Sequence, residues 1–110
     1  GDFMLPARFD ERKTKVNMMT PLNFVSTCDI IGGNSGSPVV NKKGELVGLI
    51  FDGNIESLVG RFVYDETANR AVAVHTGGML ECLRNIYDAN PLADEIEGKK
   101  GEVKSEEIKK

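Results

Sequence analysis

A serine hydroxyl attacks a carbonyl only when a base removes its proton and nearby donors stabilise the oxyanion that forms. The segment Gly32-Gly33-Asn34-Ser35-Gly36-Ser37-Pro38-Val39-Val40 is suited to the second requirement. In one class of serine acyl-transfer enzymes the oxyanion is held by two backbone N–H groups, those of the serine and of the residue two before it. Here those are Ser35 and Gly33. Glycine permits the backbone angles that turn two such groups into one concavity, and Gly36 and Pro38 then pin the turn ahead of a strand at Val39. The same residue types also make ordinary turns. Context favours chemistry, because this elbow lies between the apolar Phe24-Val25 and a hairpin that leads into Leu46–Phe51.

Few other groups compete for a role. His75 is the only histidine, and its place at a strand end before a helix fits a structural residue. Asp29, Asp65 and Glu81 have no neighbour in sequence that marks them out. No carboxylate pair, histidine cluster or phosphate-binding loop implies a metal or a cofactor, and none is expected. The two cysteines, Cys28 and Cys82, are too few for a zinc site or a disulfide framework and read as free, partly buried thiols.

The elements that must carry this elbow are mainly β. Val39-Val40, the turn Asn41-Lys42-Lys43-Gly44 and the run Leu46–Phe51 predict a hairpin, its second strand buried on both faces. Arg61–Tyr64 and Arg70–Val74 predict a second strand pair joined across Asp65–Asn69. Met79, Leu80, Leu83, Ile86 and Tyr87 form one apolar stripe, which predicts a helix over about 77–88, capped by Thr76, packed on a barrel and ended by Pro91. Residues 1–21 read as an irregular lead-in. Residues 1–97 then read as the structured part of the chain, and the Glu- and Lys-rich stretch 98–110 is expected to be a disordered polar tail.

Composition bounds the partners. The chain has 110 residues, 40% of them apolar and 28% charged, with a net charge of −3. An acidic chain without a basic stripe has no electrostatic footprint for nucleic acid. No apolar run approaches the length of a membrane span. The N-terminus lacks the pattern of a signal peptide, which for an excised piece says nothing of location.

Thr20–Thr27, Gly32–Val40, Gly44–Leu49 and Phe51-Asp52-Gly53-Asn54 resemble bacterial dipeptidyl peptidases of serine-peptidase family 46, the dipeptidyl-peptidase seven and eleven type, over about residues 1–95. Gly-Asn-Ser-Gly-Ser-Pro is shared more widely with chymotrypsin-like enzymes, and Phe51–Asn54 is the more specific part. The resemblance implies a mainly β fold with a C-terminal helix, the second-barrel part of a chymotrypsin-like double β-barrel. It implies Ser35 as nucleophile and the Gly33 and Ser35 amides as the oxyanion hole. Asp52 is implied to hold the free amino group of a peptide substrate. Gly53 is implied to shape the pocket for the side chain before the scissile bond, where glycine in place of arginine predicts apolar or neutral side chains. Asp52-Gly53-Asn54 is equally a strong turn sequence, so both readings stand at this point.

Chymotrypsin-like enzymes run His, Asp, Ser along the chain, so a histidine after Ser35 is misplaced as the base. The catalytic His and Asp are expected upstream, in a missing N-terminal part, and the isolated chain is expected to be inactive and prone to self-association. The parent is expected to be a periplasmic or secreted bacterial enzyme that releases dipeptides from peptide N-termini. Two alternatives are a fragment of a glutamyl-type serine endopeptidase and a non-catalytic β-domain that binds peptides or partners.

Overall fold

The computed structural model describes residues 4–99, so residues 100–110 of the expected tail lie outside the described residues. The chain divides into two compact units, Met18–Met79 and a second built from its ends, Gly1–Asn17 with Leu80–Lys110.

Met18–Met79 is organised by four antiparallel strands: β1 (Asn23–Ser26), β2 (Pro38–Val40), β3 (Leu46–Gly53) and β4 (Ala71–His75), in the order β1-β4-β3-β2. The β2–β3 hairpin forms as the sequence predicts. Asn41 closes its turn, accepting through Oδ1 from the amides of Lys43 (2.9 Å) and Glu45 (3.0 Å), and Gly44 takes φ +79°. The core is small: Ile50, Ala71 and Ala73, with Phe24, Ile30 and Val39 packed against it. Burial of Ile50 contributes roughly 1.5–3 kcal/mol. The Phe24 ring comes so close to β3 that a Cβ on Gly48 would lie 2.5 Å from both Phe24 Cε1 and the Val74 carbonyl oxygen. Only glycine fits there.

Two expectations about these strands are corrected. Leu46–Phe51 is not buried on both faces: Gly48 and Ile50 on one face are buried, while Val47 and Leu49 on the other are only half-buried and Phe51 is exposed. Arg61–Tyr64 is not a strand. A 3₁₀ helix spans Ile55–Arg61, and Phe62 and Val63 are exposed. The cause is Asn54, whose amide donates to the Arg70 carbonyl (3.0 Å), whose Oδ1 accepts from the Arg70 amide (2.9 Å) and whose Nδ2 donates to the Ala68 carbonyl (2.7 Å). This clamp brings the end of β3 directly to the start of β4. The intervening residues become an excursion from the sheet rather than part of it.

The second unit holds α1 (Ala7–Arg12), a 3₁₀ turn (Lys13–Lys15) and α3 (Asn90–Ile96); α2 (Thr76–Glu81) crosses the boundary and continues as a π turn (Cys82–Ile86). The predicted helix is therefore present over Thr76–Ile86, with Thr76 its first residue rather than its cap. Ile86 is fully buried and Tyr87 is exposed. The lead-in is not irregular, since Ala7–Arg12 is helical. Pro91 starts the unforeseen α3 instead of ending α2, which suits a residue with no amide proton to leave unpaired. Arg84 ties the turn to α3 through Asp94 (2.7 Å) and Glu97 (2.9 Å), and Arg12 pairs with Asp88. Both cysteines are free; Cys82 is half-buried, but Cys28 is exposed.

Candidate active site

Ser35 is exposed on the loop between β1 and β2. Two features hold that loop. Its first turn is closed reciprocally: the Asn34 amide donates to the Ile31 carbonyl (3.1 Å), and Asn34 Oδ1 accepts from the Ile31 amide (2.8 Å). Its second half is bound to β3, with the Gly36 amide donating to the Ile50 carbonyl (2.7 Å) and the Ile50 amide to the Ser37 carbonyl (3.0 Å). Gly33 at φ +102° and Gly36 at φ +86° supply the left-handed steps that this path needs. A Cβ on Gly33 would meet nothing within 4 Å, so conformation rather than space selects glycine there.

The distribution of donors in this loop is uneven. The amides of Asn34, Gly36 and Ser37 all donate to backbone carbonyls. Those of Gly33 and Ser35 have no acceptor among the described residues. Gly33 and Ser35 are both exposed residues, and N–H groups without acceptors next to a serine in the chain are the kind an oxyanion would use.

Ser35 opens on a cleft of about 520 Å³, within the range of small-ligand sites, lined also by Ile30, Asn34, Asp52, Gly53, Ser57 and Phe62. The cleft brings together Ser35, Asp52 and Gly53 of the sequence-selected residues; Gly33 lies in the loop but is not part of the lining. Asp52 reaches the cleft because β3 carries a bulge. Ile50 pairs with Ala73 and Asp52 with Val72, which leaves Phe51 as the extra residue. Without it, Phe51 would face Val72 and Asp52 would lie one step further along. Oδ1 of Asp52 accepts from the Gly53 amide (2.8 Å), and its other oxygen has no partner among the described residues. Asp52 is the only charged residue of the lining among the described residues.

His75 is occupied elsewhere. Its Nδ1 accepts from the Gly77 amide (2.8 Å), its amide donates to the Leu22 carbonyl (2.8 Å), and its ring stands edge-on to Phe24 at 5.7 Å. Two carboxylates that the sequence left unpartnered have structural work. Glu81 accepts from the Asn17 amide and from Asn85 Nδ2, both at 2.7 Å. Asp65 caps Thr67, whose backbone N–H holds its carboxyl below the usual range. Among the described residues no three His, Cys, Asp or Glu side chains converge as a metal centre would require.

Sequence reasoning missed the wall of the cleft at Ser57, Leu58 and Phe62. Ser57 and Leu58 have no strand or helix periodicity, and Phe62 lies in a stretch expected to be a strand. The signal that would have found them is the Asn54 clamp, which is a tertiary contact.

A sequence model of the peptidase S46 family matches residues 1–98. Similar curated relatives include the dipeptidyl-peptidase 7 of Capnocytophaga gingivalis, 38% identical over 104 residues, with 87% of this chain and 14% of that relative covered. The Asp/Glu-specific dipeptidyl-peptidase of Shewanella putrefaciens is 43% identical over 77 residues, covering 70% of this chain and 10% of the relative. Among solved structures, Porphyromonas endodontalis DPP11 in complex with the dipeptide Arg-Glu superposes with a TM-score of 0.76 at 29% identity, over 86% of this chain and 15% of that one. The chain thus spans only a small part of the curated relatives it matches.

Proposed function

Because this chain belongs to the peptidase S46 family, we propose that it is the nucleophile-bearing segment of a serine dipeptidyl peptidase. The observation that carries the reading is the loop of Ser35: the residue is exposed on a cleft, and the Gly33 and Ser35 amides have no acceptor among the described residues. Ser35 Oγ attacks the carbonyl carbon of the second peptide bond while its proton passes to a histidine supplied from outside this segment. The oxyanion accepts hydrogen bonds from Gly33 and Ser35. Collapse of the intermediate breaks the C–N bond, and the same proton leaves on the departing amine. Water then hydrolyses the acyl-enzyme, freeing the dipeptide and restoring the serine.

Asp52 makes the enzyme an exopeptidase. Its unpaired carboxylate oxygen receives the substrate's α-ammonium group, which fixes the distance from the N-terminus to the bond cut. With one anion, Asp52, and no cation among the described lining residues, the cleft disfavours an acidic side chain before that bond. Gly53 leaves room there for an apolar or neutral side chain.

The rest of the protein completes both chemistry and fold. The sheet ends in two open edges, β1 and β2, and exposes Val25 on the first and Val40 on the second. Strands from the remainder of the peptidase pair with such edges and close the second barrel of a chymotrypsin-like double barrel. Detached, the segment self-associates through the same edges. The parent is periplasmic or secreted, a location supported by the family resemblance alone.

The test is turnover of fluorogenic dipeptide substrates by the full-length protein. We expect cleavage of substrates with a free α-amine, none of N-acetylated ones, and a loss on the order of 10⁵–10⁶-fold in kcat on Ser35→Ala. The isolated segment, lacking its histidine, is inert. Turnover that survives Ser35→Ala refutes the reading.

A further inference from the structure

Gly53 ends β3 with a backbone outside the left-handed region, so what a side chain there meets is a matter of space rather than of backbone conformation. A Cβ at this position would collide with Ser57 Oγ and lie 3.3 Å from Ser57 Cβ and 3.5 Å from the Arg70 carbonyl oxygen. Ser57 cannot turn aside freely. Its hydroxyl donates to the Asn54 carbonyl (2.6 Å), and its amide donates to the same oxygen (3.0 Å). Asn54 is in turn held by three hydrogen bonds to Ala68 and Arg70. The Ser57 side chain is therefore a fixed part of the cleft wall, filling the space that a side chain on residue 53 would take.

We infer that Ser57 is a specificity-determining residue: with Gly53 it sets the depth of the pocket for the side chain before the scissile bond, and its hydroxyl sets the polarity of that wall. The hydroxyl's single proton is committed to Asn54, which leaves only lone pairs toward an incoming group. Such a wall repels a carboxylate and accepts apolar side chains or those that donate a hydrogen bond. This rests on the reading of the cleft as the site of a dipeptidyl peptidase.

The experiment uses the full-length peptidase and a set of fluorogenic dipeptides with one first residue and Ala, Met, Phe or Glu second. Ser57→Ala should raise the ratio of kcat/KM for Phe over Ala about tenfold, the scale of one heavy atom in a pocket. A ratio of two substrates cancels any loss of folded enzyme. Gly53→Ala should lower kcat/KM for every substrate, and adding Ser57→Gly should restore it. A profile unchanged by Ser57→Ala, or a Gly53→Ala variant as active as its parent, overturns the inference. These outcomes are separable from failure of the peptidase reading, which would appear first as an unsubstituted protein that releases no dipeptide.

Discussion

The amide of Gly36 donates to the carbonyl of Ile50 at 2.7 Å, so the loop that carries Ser35 hangs on a buried core residue of β3. One residue after Ile50 the strand bulges, and two after it Asp52 enters the cleft. Nucleophile and anionic lining residue are thus positioned by the same buried point, and a change in the core moves both.

Gly33→Ala tests the backbone donors. A Cβ at φ +102° is strained although nothing crowds it, which costs about 1–2 kcal/mol. If the loop relaxes toward negative φ, the Gly33 amide turns and one oxyanion donor is lost. The expected result is a fall in kcat on the order of 10²-fold with KM nearly unchanged, the signature of a contact made only in the transition state. Steady-state kinetics on the full-length protein checks it, and equal losses in kcat and 1/KM would count against the assignment.

Asp52→Asn separates charge from turn geometry. Asparagine retains an oxygen for the Gly53 amide, so the bend at the end of β3 survives. The loss is of charge, and a hydrogen bond to a charged group is worth about 1.5–3 kcal/mol. We expect kcat/KM for substrates with a free α-amine to fall about 10- to 100-fold. Retention of full activity would reduce Asp52 to a turn residue.

The ion pairs of the second unit predict an acid limb to its stability. The Lys99 and Arg84 side chains hold the Glu97 carboxyl below its ordinary range, and Arg12 does the same for Asp88. A folded-state pKa below the unfolded one gives stability that is fully present above the unfolded value and lost as pH falls through the folded one. Hydrogen-exchange protection over Cys82–Glu97 in the parent protein should therefore decline below about pH 4, the ordinary carboxylate range. Arg84→Met should lower protection near neutrality and shrink that decline. An identical pH profile in the variant would show that these pairs contribute nothing.

What could be read along the chain was whatever short-range chemistry governs. The elbow at Gly33–Pro38, the hairpin turn at Asn41–Gly44 and the stripe from Met79 to Ile86 depend on residues a few positions apart, and each forms where expected. The failures share one cause. Phe62 and Val63 have strand-like composition, yet the Asn54–Arg70 clamp, 16 positions apart in sequence, diverts them from the sheet. Pro91 obeys the same rule at a helix start as at a helix end, and only packing chooses between them. The bulge at Phe51 has no signature in composition, because it is set by the partner strand's register. Residue types named Ser35 and Gly33, and the family resemblance added Asp52 and Gly53. The tertiary structure decided that Ser35, Asp52 and Gly53 share one cleft with Ser57, and that His75 is engaged elsewhere, since long-range contacts determine which faces meet.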